Sequence, residues 1–523
     1  MGKYLLKRLL HGLFSVVAVV ALIMLLIYSL MDRNLIFGQD SLYSHLANNA
    51  KTIYTYEQWE QFGYLDYVAY SEYINSLANS GEISDSVRED AVVLGRTADK
   101  DSALTKKYVE SFYDYYESRG YTVKRLNAVM ISGNKVASGG NQALFAYKYI
   151  PLFSRVWKYF SGMITFDDIN YAENIVGDRK LTFTLHDPLY GGDKFAPAIY
   201  ANGTKNKYLL YFDSQFPYIH QNIITIQLGQ SYSVNKGIDV LRTMTISQGA
   251  YVKSMITYPT GLVENSADNL HTASYVAGSR DALITNTSRF VDDYTNVETY
   301  KNGMSKIGYS FITGIISTLL AYLVGIPLGV IMARNKDKLV DKLGSLYVIF
   351  IIAVPSLAYI FLFKAIGGKL GLPTTFDLTS GTIAMYVLPI ISLTLPSVAG
   401  LMRWLRRFMI DQMNSDYVKF ARSGGLTENE IFTKHVLKNA AIPIIHGIPG
   451  NILSALVGAI ITERVYVVPG TGNLLTTAIN KYDNGVIVGV SFFYAMLSII
   501  AIILGDILMA MVDPRISYTA KSR

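Results

Sequence analysis

Apolar residues in this chain are gathered into a few long runs rather than spread evenly. Leu9 to Leu30 is nearly unbroken, with His11 and Ser15 as its polar interruptions, and it follows Lys3, Lys7 and Arg8. A secretory signal has a similar charged start, but its apolar core is only about 7–15 residues long and a small-residue cleavage site follows. Met31-Asp32-Arg33 offers no such site, so a retained spanning helix over 9–31 is expected, behind a short segment 1–8. No further run able to span occurs over 32–304. From Ser305 the pattern changes, with apolar runs near 307–333, 342–363, 381–402, 444–462 and 486–512. Each approaches or exceeds the ~20 residues that cross a bilayer core. Six spans are expected, five of them in a core over 305–513. The 342–363 run is interrupted by Pro355 and followed by Lys364.

The 32–304 interval reads as a folded domain. EQWEQFGYLDYVAYSEYINSLA and SALTKKYVESFYDYYESRGY have helical spacing, whereas KLTFTLHD and KYLLYFDS alternate between turn residues. Helices followed by strands imply an α+β domain. It holds 27 of the 39 tyrosines, a side chain suited to a protein interface or to the domain's own core.

Charge places these segments. The chain carries +7 overall, yet between Asp32 and Met304 there are 25 Lys and Arg against 29 Asp and Glu. The excess of cations therefore flanks the apolar runs, which points to a membrane surface and away from nucleic acid. With the N-terminus inside, the inner segments hold 17 Lys and Arg and the short outer loops only four. Both termini, including 514–523, are then cytoplasmic and 32–304 is extracellular. The chain has no cysteine, which excludes disulfides and thiolate chemistry. Its seven histidines lack metal-ligand spacing, and no phosphate-binding G-x-x-x-x-G-K-[ST] loop is present. No catalytic residue, metal site or cofactor is expected on this chain.

Helix packing has its own signals. Gly450, Ser454 and Gly458 recur every four residues, a stripe that permits close helix approach. Gly325 and Gly329 flank Pro327, where a kink is expected. Asp506 lies inside the last apolar run. Near the inner end, it is expected to pair with a cation of a neighbouring helix; contact with substrate is the alternative.

The loop over 403–443 contains the stretch DYVKFARSGGLTENEIFTKHVLKNAAIP. Asp416 to Ser423 reads as a short helix with Tyr417, Phe420 and Ala421 on one face. Gly424-Gly425 ends it, and Thr427 with Glu430 forms a capping box that starts a second helix. Ile431, Phe432, Val436 and Ala440 give that helix an apolar stripe, and Pro443 is expected to stop it. Two amphipathic helices joined at a glycine elbow either lie on lipid or dock into a partner.

Tyr417-Val418, Ala421-Arg422, Gly425-Leu426, His435, Asn439-Ala440 and Pro443 resemble the coupling loop of the oligopeptide/dipeptide permease family of ABC importers. Of that loop's "EAA" triplet, only Ala421 is kept, with Lys419 and Phe420 in the first two places. ERVYVVPGTGNLL resembles the family's outer loop, with Glu463, Pro469, Gly470 and Gly472 at its core. ITIQLGQSYSVNKGIDVL resembles the segment before the second span, and VDPRI, Val512 to Ile516, the ending after the last. The likeness is to the first permease subunit, in the version from Gram-positive cocci that carries a large extracellular insert.

The resemblance implies a membrane α-helical fold, a six-span type I ABC importer permease core with an inserted extracellular α+β domain. It implies an importer of oligopeptides whose partners are a second homologous permease subunit, two cytosolic ATPase subunits and an extracellular lipid-anchored peptide-binding protein. ATP and Mg would sit on the ATPases, and Leu426 and Gly425 would meet them. Import of dipeptides, nickel chelates or another small solute is the nearest alternative. A membrane-anchored sensory or cell-wall protein is the alternative from another class.

Overall fold

A computed structural model of the chain describes residues 2–512 apart from 132–134, 167–180, 187–197, 202–206, 210–220, 223, 247, 253–254, 258–262, 266–299 and 379–380. The expected Asp-Pro-Arg ending at 513–515 and the tail 514–523 lie outside the described residues.

Helix α1 (Gly2–Leu30) is one continuous apolar helix. Beyond it, α2 (Asn48–Gln61) ends where Gly63 adopts φ +70°, and β1 (Leu65–Ala69) follows, then α3 (Tyr70–Asn79). The expected single helix over this stretch is therefore split by a strand. The left-handed turn at Gly63 releases the helix, and Leu65 and Tyr67 then alternate inward around exposed Asp66. Helix α4 (Ala103–Glu117), β2 (Thr122–Leu126) and β3 (Ala143–Tyr149) complete a layer of helices on a sheet of order β1-β3-β2. Both pairings are antiparallel, with Leu65 opposite Tyr149 and Thr122 opposite Tyr147. Tyr56, Tyr64, Tyr67, Tyr70 and Tyr73 are buried, whereas Tyr115 and Tyr149 are exposed. Much of the tyrosine thus builds the core, in edge-to-face pairs such as Tyr70 on Phe112. Helix α5 (Leu152–Ser161), β4 (Ile164–Phe166), β5 (Ile224–Ile226) and α6 (Val240–Thr245) lead back towards the helical core.

That core comprises α7 (Lys306–Arg334), α8 (Leu339–Ala353), α9 (Ser356–Lys369), α10 (Val387–Met413), α11 (Asp416–Ser423), α12 (Leu437–His446), α13 (Ile448–Tyr466), α14 (Thr471–Asn480) and α15 (Asn484–Val512). Among the described residues, five helices are long and apolar enough to cross a membrane, and α8 with α9 makes a sixth if the bent pair counts as one. The 342–363 run is thus not one straight helix. It bends by 108° at Val354-Pro355, because proline disfavours helical backbone in the residue before it. The 381–402 run continues as helix to Met413, carrying Arg403, Arg406 and Arg407 along.

The most extensive helix pairing is α7 against α10. A β-carbon at Gly325 would lie 3.0 Å from Leu401 Cβ, and one at Gly329 3.2 Å from Leu405 Cβ. These two glycines let α10 approach on either side of Pro327, which α7 carries without ending. The Gly450–Ser454 stripe behaves differently. Gly450 is exposed, and a β-carbon there would meet nothing within 4 Å. Its neighbours Asn451 and Ser454 line a cavity, and Asn451 Nδ2 donates to Tyr322 Oη of α7 at 2.7 Å.

Candidate functional site

The elbow between α11 and the next helical turn is built by backbone hydrogen bonds. Gly425 has φ +82°, its N–H donates to Arg422 O at 3.1 Å, and Leu426 N–H donates to Ala421 O at 3.2 Å. This paired pattern around a left-handed glycine is the Schellman closure of a helix. Thr427 then caps the following turn: its Oγ1 accepts from Glu430 N at 3.3 Å, while Glu430 Oε2 accepts from Thr427 N at 3.2 Å. The Thr427 hydroxyl and N–H, with Lys434 beyond, hold the Glu430 carboxylate below its ordinary value. Arg422 closes the elbow from outside, its Nε donating to Glu428 Oε1 at 2.6 Å and Nη2 to Oε2 at 3.1 Å.

Beneath the elbow, Val418, Ile431, Phe432, Val436 and Ala440 pack into the same core as Met332 and Ala333 of α7 and Leu405 and Met409 of α10. The expected stripe of the second helix is therefore already covered by this chain. Two expectations change here. In α11 the inward residue is Val418, with Tyr417 and Ala421 partly buried beside it, and Phe420 is 77% exposed. Two residues apart on a helix, Val418 and Phe420 point to opposite sides. Pro443 does not stop the second helix, which runs through wide π-type turns over 431–436 into α12 and ends at His446. Burial of Ala440 and Ile444 on either side of the proline offsets the lost hydrogen bond. His435 and Asn439 are both half-buried on that run.

The arm is tied directly to the spans. Arg334, the last residue of α7, donates to Asn429 Oδ1 at 2.9 Å and lies 5.0 Å above the Phe432 ring. Asp341 of α8 is buried and accepts a fork from Arg406 of α10, Nε to Oδ1 at 2.5 Å and Nη2 to Oδ2 at 2.6 Å. That pair was not found from sequence, because 65 residues separate its members.

Above the bundle, Glu463 is buried in the last turn of α13. Its Oε1 accepts from Ser310 Oγ at 2.6 Å, and Oε2 from Asn473 N at 2.9 Å. A β-carbon on Gly470 would collide with the Glu463 carboxylate, and one on Gly472 would sit 2.6 Å from Ile460 Cα. The Pro469-Gly470-x-Gly472 pattern is thus the space a buried carboxylate needs at the N-terminus of α14, where free N–H groups favour negative charge.

Asp506 meets α1: Arg8 Nε lies 3.0 Å from its Oδ2, and Tyr4 Oη donates to the same oxygen at 3.2 Å. Asp483, which no sequence motif marked, is fully buried. Its carboxylate accepts from Ser231 Oγ at 2.7 Å and from the N–H groups of Tyr232, Ser233 and Val234 at 2.8, 2.8 and 3.1 Å. Between α7, α9, α10, α12 and α13 lies a cavity of ≈ 570 Å³, bordered by Thr318, Tyr322, Ser392, Ser397, Trp404 and Asn451. Its hydroxyl groups are set among apolar side chains.

A bent, capped elbow tied to two apolar helices, beside a polar-dotted cavity between helices, fits a multi-pass membrane transport subunit. Residues 325–518 match the family described as binding-protein-dependent transport system inner membrane component. Over its whole length the chain is similar to the oligopeptide transport system permease protein AmiC of Streptococcus pneumoniae, 35% identical over 528 residues and covering 99% of that protein. It is 31% identical over 226 residues to the oligopeptide transport system permease protein AppB of Bacillus subtilis, a match to 41% of this chain and 71% of that one. The dipeptide transport system permease protein DppB of the same organism matches 42% of this chain and 72% of its own length, also at 31% identity. The chain belongs to the oligopeptide permease family of binding-protein-dependent ABC importers. It is a multi-pass membrane protein with the type I importer permease core.

Proposed function

We propose that this chain is the permease subunit of an ATP-driven importer that moves oligopeptides across the cytoplasmic membrane. The observation that carries the reading is the elbow: its apolar stripe is consumed by the chain's own core, yet Phe420 and Gly425 project from it unburied. An exposed aromatic on a rigid turn is an anchor for a protein pocket. The partner is a cytosolic ATPase subunit, and Arg334 and the Phe432 cluster carry its movement into α7 and α10. Two ATPases, a second homologous permease and an extracellular lipid-anchored binding protein complete the importer. The second permease covers the open Gly450–Ser454 face and closes the ≈ 570 Å³ cavity into a path. Its mix of hydroxyls and apolar walls suits peptide backbones of varied sequence. Both termini and the 403–443 loop are cytoplasmic and 32–304 is extracellular. The full-length likeness to the pneumococcal oligopeptide permease favours oligopeptides over dipeptides or metal chelates, since the dipeptide permease matches only 42% of this chain.

The test is co-purification. Expressed with the two ATPases and the second permease, the tagged chain retains the ATPases and supports uptake of a labelled oligopeptide. Phe420→Asp releases the ATPases while the permease pair persists. Retention of the ATPases by that variant, with normal uptake, would place their contact elsewhere.

A further inference from the structure

Helix α5 presents more apolar surface than this chain covers. Its Leu152, Phe153, Val156, Trp157, Tyr159 and Phe160 fall on one arc, and Ser154, Arg155, Lys158 and Ser161 on the other. Val156, Tyr159 and Phe160 pack against Val16, Val20 and Met24 of α1 and Val488 of α15. Arg155 anchors the polar side, donating from Nη2 to Tyr64 O at 2.7 Å and lying 5.2 Å over the Tyr28 ring. The remaining part of the apolar arc is open: Phe153 is 80% and Trp157 69% exposed, one helical turn apart.

We infer that α5 lies in the membrane–water boundary at the outer end of the first span, with Phe153 and Trp157 inserted among lipid acyl chains. The surface beside them identifies the occupant. The part of α1 that α5 packs on ends at Tyr28, and on the same helix Leu22, Leu25 and Leu26 are themselves exposed, as the lipid-facing flank of a spanning helix must be. Phe153 and Trp157 are carried by the helix that packs directly on this spanning helix, and are exposed as its lipid-facing residues are. Tryptophan is enriched at this depth because its ring is apolar and its N–H polar. The exposed Lys158 stands in the polar arc, where an ammonium reaches headgroups while its stem stays in the boundary. The result is a fixed tilt for the inserted domain, held at the entrance by lipid as well as by protein. The inference rests on α1 being a span, but not on which side of the membrane the domain occupies.

The chain has no cysteine, so single spin labels report single positions. Labels at Phe153→Cys and Ser154→Cys in the full-length chain, reconstituted with its partner subunits in liposomes, are relaxed by oxygen, which partitions into lipid, or by a water-soluble nickel chelate. Position 153 is expected to show an oxygen-to-nickel ratio several-fold above that of 154. Equal relaxation of both labels by nickel would make this face aqueous and overturn the inference. So would shielding of position 153 from both reagents, which would assign it to a protein partner or a second copy. A variant with Trp59→Phe and Trp404→Phe keeps Trp157 as its single tryptophan, and its fluorescence should be quenched by brominated lipid; no quenching would overturn the inference without altering α5. An impermeant thiol reagent at the same positions reports sidedness separately.

Discussion

Asp483 accepts the backbone N–H of Tyr232 at 2.8 Å across 251 positions of sequence. The contact ties the segment before the second span to the entry of the last one. Around it, Asn484 Nδ2 donates to Tyr64 Oη at 2.9 Å, and Tyr28 and Tyr232 hydroxyls meet at 3.1 Å. One buried carboxylate thus organises the seam between the segment 231–234 and the helical bundle. Replacing it by alanine removes this acceptor from the N–H groups of Tyr232, Ser233, Val234 and Val486, at about 1–3 kcal/mol for each one left buried and unpartnered. Asp483→Ala is expected to lower the unfolding temperature of the purified chain and to speed proteolysis near 231–234. Unchanged cleavage there would show that the loop is held by other contacts.

Gly425 separates strain from collision. No atom lies within 4 Å of a β-carbon placed on it, so Gly425→Ala costs only the left-handed backbone, about 1–2 kcal/mol. Insertion and assembly should survive that change with reduced uptake. Gly425→Asp adds a charge at the docking surface, and uptake should be abolished while the protein still inserts. Normal uptake by the aspartate variant, at equal expression, would remove the elbow from the coupling path.

Gly470 gives the opposite case. Its φ is ordinary, but a β-carbon would occupy the space of the Glu463 carboxylate. Gly470→Ala is therefore expected to reduce folded yield far more than Gly425→Ala. Size-exclusion recovery from mild detergent checks the order, and equal recovery of the two variants contradicts it.

Asp40 and Lys236 form a clasp that is expected to respond to pH. Asp40 accepts from Lys236 Nζ at 2.8 Å and from Tyr54 Oη at 2.7 Å. Burial pushes the Asp40 carboxyl up, but Lys236, Tyr54 and the Tyr43 N–H outweigh it and hold it below the ordinary value. Burial likewise pulls Lys236 down, and Asp40 and Tyr54 outweigh it and hold it above its ordinary value. Asp40 therefore stabilises the fold above the ordinary carboxylate range, near 4, and that contribution is lost as pH falls through its lower folded value. Lys236 contributes in full below its ordinary value, and the contribution is lost as pH rises through the higher folded one. Protection of the Tyr43 amide, taken relative to its intrinsic exchange rate at each pH, should fall on acidification, and Asp40→Asn should abolish that dependence. Protection that stays constant across the acid range in the unmodified chain contradicts the clasp.

Sidedness is directly testable. Ser102→Cys should react with an impermeant thiol reagent on intact cells, and Asn429→Cys should react only after lysis. Labelling of Asn429→Cys from outside would invert the proposed topology.

Local chemistry alone dictated a good part of this protein. Apolar length and flanking cations marked the spans, and Gly425 with Thr427 and Glu430 marked the elbow, because helix ends are decided by residues a few positions apart. Pro355 announced its break but not the 108° bend. Tertiary structure decided what depends on distant partners. Phe420 looked like a packing residue and Val418 did not, since a short amphipathic pattern does not say which face meets its own core. Pro443 stays inside a helix because Ala440 and Ile444 are buried around it. Of the buried carboxylates, Glu463 stood in a motif and Asp506 inside an apolar run, but Asp341 and Asp483 are ordinary letters in the sequence, and the donors of all four were not legible there. Each has at least one donor between 10 and more than 500 residues away, and a buried charge is tolerated only where folding brings its donors together.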